Sequence, residues 1–234
     1  MSDDPRNKVF AVPPLARNAD LAPNRAANAA LIHHIEAGGI RALMYGGNAN
    51  FYNIGLYEYA AVVDQLLELA SPGTWVIPSV GPDFGKMMDQ AEILRSRPFP
   101  TAMMLPAAAN FSQAGVDAGI RRFTDRLGRP AILYLRAEAY VSPACIERLV
   151  ADKRIKAIKY AIAREDPRRD AYLSELIKRI DRNMIISKDS FVNPSDSVAG
   201  TAAWRGAAAG LTGAGVQQSS RRSRPRSRTS RRQA

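Results

Sequence analysis

Short apolar runs recur along most of this chain, and each is followed by a longer segment whose apolar residues lie three or four positions apart. The runs are nearly continuous in apolar character, which is typical of parallel strands buried on both faces. Seven of them can be identified, at residues 9–12, 40–46, 75–80, 101–106, 131–135, 155–161 and 184–187. The pattern therefore predicts seven alternating β/α units.

The segments between the runs have the spacing of amphipathic helices. Residues 28–39 show it and end on Gly38 and Gly39, and residues 57–70 and 170–180 repeat it. Seven units could form an open doubly wound sheet, but no glycine-rich phosphate loop follows the first run. A closed barrel is favoured, and 234 residues are slightly fewer than the roughly 250 of a (β/α)8 barrel.

The pattern changes after Asp189, where no eighth strand and helix are evident. Residues 190–234 are rich in Ala and Gly and then in Arg and Ser, so they are predicted to be a disordered tail after a barrel domain at 1–189. A shift of reading frame near residues 191–196 is one hypothesis for the change. The barrel is predicted to be incomplete.

Charge is distributed unevenly between these two parts. The tail has eight arginines and one aspartate, so it carries +7 of the formal net charge of +11. Such a tail attracts phosphate without reading a sequence, so nucleic-acid binding is only a minor alternative. No apolar stretch is long enough to cross a membrane and no secretory signal is present, so a soluble cytoplasmic protein is expected.

The histidines and the cysteine of the chain do not indicate a metal or cofactor site. His33 and His34 are adjacent on a predicted helix and point in different directions, which argues against a shared metal. Cys145 is the only cysteine and is predicted to pack near a helix start.

The sixth run contains a lysine that could carry chemistry. Strand alternation places Lys159 on the face of Ile155 and Ala157, near the C-terminal end, where barrel enzymes hold their active sites. Apolar surroundings should lower its pKa and make the neutral amine a nucleophile toward a carbonyl, giving a Schiff base. The alternative is a lysine that extends from the strand end into solvent.

Two further features could complete a site. Tyr134 lies near the end of the neighbouring fifth strand, where its phenol could act as general acid and base, or it could be an aromatic core residue. The turn after the second strand contains Gly47 and Asn48, whose backbone N–H groups and side-chain amide could hold a carboxylate. A Gly-Gly-Asn sequence is also common in ordinary turns.

The order and spacing of these features resemble the dihydrodipicolinate synthase and N-acetylneuraminate lyase family of Schiff-base barrel enzymes. The resemblance covers most of residues 7–189 and rests on residues 34–40, Gly46-Gly47, Leu105-Pro106, Ile132-Leu133-Tyr134 and Ile158-Lys159. It implies that Lys159 forms an imine with pyruvate or another 2-oxo acid, that Tyr134 transfers protons, and that Gly47 and Asn48 bind the substrate carboxylate. It also implies a homodimer or homotetramer.

The chain also departs from that family. The loop after the second strand has Gly47-Asn48-Ala49-Asn50 where the family has two hydroxyl residues followed by Gly-Glu, and Ala107-Ala108 stand where the synthase has its tyrosine relay. The synthase arginine that follows the strand-five tyrosine is not matched in register, and Lys188 stands where a glycine is usual. The expected function is a lyase or aldolase for an unassigned 2-oxo acid, with a catalytically inactive truncated barrel as the alternative.

Overall fold

The computed structural model describes residues 9–164, 169–186 and the backbone of Phe191–Val192. Strands and helices alternate along this part of the chain. The strands are β1 (Phe10–Ala11), β2 (Ala42–Tyr45), β3 (Trp75–Val80), β4 (Met103–Met104), β5 (Ala131–Leu135), β6 (Ile155–Tyr160), β7 (Ile185–Ile186) and β8 (Phe191–Val192). The helices are α1 (Arg25–Ala37), α2 (Leu56–Leu69), α3 (Phe84–Arg95), α4 (Gln113–Leu127), α5 (Pro143–Ala151) and α6 (Ala171–Arg179).

All strands belong to one parallel sheet in the order β7-β6-β5-β4-β3-β2-β1-β8. The sheet is curled, since the Lys156 ammonium of β6 lies 5.1 Å from the ring centroid of Trp75 on β3. Strands three positions apart in a flat sheet would be roughly 14 Å from each other. Within the described residues β7 and β8 are not paired, so the fold is an incomplete TIM-type barrel, as the sequence predicts.

A short eighth strand is present where the apolar pattern indicates none. Phe191–Val192 pairs in parallel with β1, Phe10 opposite Phe191 and Ala11 opposite Val192. Two residues are too few to show a periodicity, so the pattern could not predict this strand. It forms because the edge of β1 offers unpaired N–H and C=O groups. The predicted domain boundary at residue 189 stays a prediction, because 187–190 and 193–234 lie outside the described residues. The predicted disordered tail, the frame-shift hypothesis and the Lys188 position also fall there.

The core lies between the strands and the helices that cover them. The strand residues are buried almost throughout, and each helix buries one face. Cys145 is buried in the first turn of α5, which confirms it as a packing residue. No described helix has the length and apolar character needed to span a bilayer.

Two buried carboxylates fix the ends of helices. Glu36, in the motif before β2, accepts hydrogen bonds from the backbone N–H and the hydroxyl of Ser71, at 2.9 and 2.6 Å. Asp170 caps α6 by accepting from the Leu173 N–H at 2.9 Å and accepts from the Tyr160 hydroxyl of β6 at 2.7 Å. The second network attaches α6 to the strand that carries Lys159.

Candidate active site

Lys159 and Tyr134 lie directly opposite each other on two neighbouring strands. They are register partners on β6 and β5, each close to the C-terminal end of its strand, and both side chains are partly buried. The Nζ atom of Lys159 is 4.7 Å from the centroid of the Tyr134 ring. The structure therefore brings together the two residues that the sequence predicts to be catalytic.

The register of β5 and β6 contains one irregularity below this pair. Ala131 lies opposite Ile155 and Ile132 lies opposite Ala157, so Lys156 is an additional residue on β6. From Ala157 onward the strands are in step, which keeps Ala157 and Lys159 on one face. The predicted face of Lys159 is therefore correct with respect to Ala157 but wrong with respect to Ile155, because the extra residue puts Ile155, opposite Ala131, on the other face.

The pKa of Lys159 is lowered to about 8, first by burial and then by repulsion from Arg136. At pH 7 such an amine is neutral in roughly one molecule in ten, against roughly one in three thousand for an ordinary lysine. Lys159 therefore presents a usable fraction of nucleophile at neutral pH.

The phenol of Tyr134 is shifted in the opposite direction. Burial raises its pKa, the positive charge of Arg136 lowers it, and Tyr52 raises it. The hydroxyl therefore stays protonated near neutral pH and can donate a proton to an oxygen or carbon of a molecule held at Lys159.

Arg136 and Tyr52 belong to the same group of side chains, although the sequence analysis assigned neither to the site. Arg136 follows β5 directly, and its pKa is raised first by Tyr52, then by Tyr134. The Tyr52 hydroxyl lies next to the guanidinium, but without the geometry of a regular hydrogen bond. The (i, i+2) spacing of Tyr134 and Arg136 at a strand end was the available signal for Arg136.

The loop after β2 forms another side of the site. Gly46 is buried, and a Cβ on it would lie 2.7 Å from the Met103 Cε and 3.3 Å from the Ser79 Oγ, so only glycine fits without a shift of its neighbours. A 3₁₀ helix, Gly47–Ala49, follows. The ring of Tyr52 comes within 3.8 Å of where a Cβ of Gly47 would be.

Gly47 and Asn48 are exposed in this loop. Among the described residues, neither of their backbone N–H groups donates a hydrogen bond to the protein. The side-chain amide of Asn48 uses one of its two hydrogens on the Val12 carbonyl, 3.0 Å away. Two neighbouring amides are thus available to an anion, and the side chain mainly anchors the loop to the end of β1.

The described residues contain no group of three or more His, Cys, Asp or Glu side chains arranged for a metal ion. His33 and His34 are both exposed on α1. The chemistry available within 9–164 and 169–186 is therefore that of an amine, phenols, a guanidinium and backbone amides.

Comparison with solved structures finds the same fold in dihydrodipicolinate synthases and in related aldolases. Dihydrodipicolinate synthase from Bacillus clausii superposes with a TM-score of 0.66 at 18% identity, over 77% of this chain and 60% of that chain. The 2-keto 3-deoxygluconate aldolase from Picrophilus torridus superposes with a TM-score of 0.64 at 14% identity, over 77% of this chain and 66% of that chain. YagE, a prophage protein from E. coli K12 of the dihydrodipicolinic acid synthase family, was solved in complex with pyruvate. It superposes with a TM-score of 0.67 at 18% identity, over 88% of this chain and 78% of that chain.

These similarities confirm the predicted resemblance at the level of the fold. The chain spans about 60% of the length of the first synthase structure. No protein-family model matches the sequence, and no curated protein matches it.

Proposed function

We propose that this chain, which has the fold of the dihydrodipicolinate synthase family, is a lyase that forms a Schiff base between Lys159 and a 2-oxo acid. The observation that carries the proposal is the Lys159 amine, of lowered pKa, 4.7 Å from the Tyr134 ring centroid at the C-terminal ends of β5 and β6. Pyruvate, present in the YagE complex, is the first 2-oxo acid to test.

The reaction begins at the neutral amine of Lys159. Its nitrogen attacks the keto carbon, the carbonyl oxygen takes up a proton, and a carbinolamine forms. Loss of water then gives the protonated imine, which can accept electrons from an adjacent carbon–carbon or carbon–hydrogen bond. Tyr134 donates the proton to the departing hydroxyl, and the resulting phenolate takes a proton from the carbon next to the imine, which it can later return to that carbon.

Gly47 and Asn48 are proposed to bind the substrate carboxylate through their backbone N–H groups. The carboxylate of a 2-oxo acid is bonded to its keto carbon. Lys159 must therefore reach the keto carbon while the loop amides hold the carboxylate a few ångströms away. No metal or organic cofactor has a role in this scheme, because the imine itself stabilises the developing charge. A cytoplasmic homodimer or homotetramer is the proposed setting.

Trapping of the imine tests the proposal. Incubation with pyruvate and borohydride should add to Lys159 the mass of pyruvic acid less one oxygen atom, as read by peptide mass spectrometry. A Lys159→Arg variant keeps the charge but should give no adduct. Lys156→Arg is the matched control on the same strand, where Nζ lies 5.1 Å from the Trp75 ring centroid, and should react like the unaltered chain.

Other 2-oxo acids extend the test. If Lys159 remains unmodified with pyruvate, 2-oxobutyrate and 2-oxoglutarate, the chain does not form Schiff bases, and the inactive-barrel alternative is the better description. An equal adduct on Lys156 and Lys159 would show unselective labelling and would also contradict the proposal.

A further inference from the structure

We infer that Arg136 binds the carboxylate of the 2-oxo acid that reacts with Lys159, and so makes the site selective for anionic carbonyl compounds. The inference rests on the proposed function and adds a residue to it. Four kinds of observation support it: the position of Arg136, its lack of a carboxylate partner among the described residues, the weakness of the neighbouring loop as an anion site, and the placement of Tyr52.

The position of Arg136 follows from the strand that precedes it. β5 ends at Leu135, so Arg136 is the first residue beyond the strand and lies two positions after Tyr134. Because β5 is regular up to Leu135, the Arg136 side chain starts on the side of Tyr134, and the chain bends at Arg136 itself. The guanidinium is close enough to Tyr134 and Lys159 to lower the pKa of both, and close enough to Tyr52 for that side chain to raise the pKa of Arg136.

Arg136 has no carboxylate partner within the part of the chain that the structure describes. Its nearest acidic neighbour along the chain, Glu138, is bound to Arg164, which also contacts Asp170 at 3.0 Å. Other arginines on the outside of the barrel are paired in the same way, as Arg97 is with Asp64. The exposed guanidinium of Arg136 therefore keeps its donors for a ligand.

The loop after β2 does not supply a charge of its own. The donors it offers are neutral: the exposed backbone N–H groups of Gly47 and Asn48 and the second hydrogen of the Asn48 amide, and residues 46–50 include no hydroxyl side chain. Neutral donors in contact with water discriminate weakly between a carboxylate and an uncharged group. A guanidinium forms two parallel charge-assisted bonds to a carboxylate and supplies that discrimination.

Tyr52 connects the loop to Arg136. Its ring lies against Gly47, its hydroxyl lies next to the guanidinium, and its backbone carbonyl is held by Lys86 Nζ at 3.0 Å. The ring atom nearest Gly47 is Cε2, beside the carbon that carries the hydroxyl, so the loop and Arg136 both lie at the hydroxyl end of the Tyr52 ring. A carboxylate placed beside Tyr52 can reach the guanidinium and remain near the amine of Lys159.

Binding of a carboxylate would also remove an obstacle to the chemistry. Arg136 repels the positive charges that develop on Lys159 in the carbinolamine and the imine. A bound carboxylate neutralises Arg136, so that an anionic substrate brings its own counter-ion to the protonated imine. An uncharged carbonyl compound gains neither the contact nor the neutralisation.

The experiment compares pyruvate with methyl pyruvate, which keeps the reactive carbonyl but has no charge. Borohydride-trapped adduct on Lys159 is measured against concentration for the full chain and for Arg136→Gln, Arg136→Lys and Arg122→Gln. Arg122 is an exposed arginine of α4 and serves as the matched control. The readout is the ratio of the two half-saturating concentrations.

The full chain should prefer pyruvate, and Arg136→Gln should reduce that preference by at least about tenfold while methyl pyruvate reacts nearly as before. Arg136→Lys should retain part of the preference and Arg122→Gln all of it. An unchanged preference in Arg136→Gln, or equal weakening of both compounds, overturns the role of Arg136 but leaves the Schiff base intact. Absence of any adduct in the full chain overturns the proposed function, and the role of Arg136 with it.

Discussion

The ammonium of Lys159 experiences two opposing influences in its site. The face of the Tyr134 ring, 4.7 Å from Nζ, attracts the positive charge. Burial and the nearby guanidinium of Arg136 disfavour it and hold the pKa at about 8. An amine kept between these influences can switch between the charged and the neutral form near physiological pH.

The pH dependence of adduct formation follows from that pKa. Only the neutral amine attacks, so the initial trapping rate with limiting pyruvate should rise from pH 6, bend near pH 8 and level off above pH 9. Cyanoborohydride trapping measures it, and Nα-acetyl-lysine, whose ordinary amine should give a rate that still rises beyond pH 9, is the parallel reference. Tyr134→Phe keeps the ring and should bend near the same pH, with slower turnover. A rate that still rises beyond pH 10 would indicate an ordinary lysine and contradict the site.

For single residues, the sequence predicted the positions of those side chains that strand alternation alone determines. Lys159 and Tyr134 could be assigned to strand ends because both follow clear apolar runs. Tyr52 could not, because it lies in a second 3₁₀ helix, Phe51–Asn53, whose direction depends on the left-handed backbone of Asn50 at φ 56°. Arg136 lies at a bend after β5, so its place beside Tyr134 could not be predicted from alternation alone.

The strand that carries Lys159 is attached to the rest of the barrel through Asp170. This carboxylate is almost fully buried and accepts from Tyr160 of β6, from Arg164 and from the first turn of α6. Burial alone would raise its pKa, but the bonds from Arg164, the Leu173 N–H and Tyr160 lower it overall. One side chain thus connects β6, the segment after it and α6.

Removal of that carboxylate should destabilise the fold more than loss of an ordinary helix cap. Asp170→Ala leaves the Tyr160 hydroxyl and the Leu173 N–H buried without their acceptor, which should lower the free energy of unfolding by about 3 kcal/mol. Ser112→Ala, which removes the exposed cap of α4, should cost about 1 kcal/mol. Urea unfolding followed by circular dichroism compares them, and equal losses would show that the buried network contributes nothing beyond capping.

The sequence predicted the bounds of some strands better than those of others, and the difference follows the length of each strand. The predicted bounds of β3 and β5 agree with the structure, because each is one uninterrupted run of five or six residues. The run at 101–106 contains only Met103–Met104 as a strand, since Pro106 and the loop after it leave the sheet. Ala102 and Leu105 are buried and still bond to Ile132 of β5 and Val80 of β3, so the apolar run reports a buried segment that is longer than the two-residue strand.

The whole molecule is an open sheet within the described residues, with β7 at one end and β8 at the other. The apolar pattern predicts the number and the parallel direction of the first seven strands, but a strand of two residues at the edge of the sheet is too short to be detected by it. β8 covers the outer side of β1, which would otherwise present unpaired N–H and C=O groups. We therefore expect the stability of the barrel to depend on residues 191–192, which belong to the part of the chain that the apolar pattern predicts to be a tail.

Truncation separates the contribution of β8 from that of the basic segment. A chain of residues 1–196 keeps β8 and should retain both the cooperative unfolding and the Lys159 adduct of the full chain. A chain of residues 1–186 loses the pairing of Phe10 and Ala11 with β8, and its free energy of unfolding should fall by about 2 kcal/mol, with more association in light scattering. Equal stability of the two shorter chains would show that β8 does not support the barrel. Loss of cooperativity in both would instead assign that support to residues 197–234.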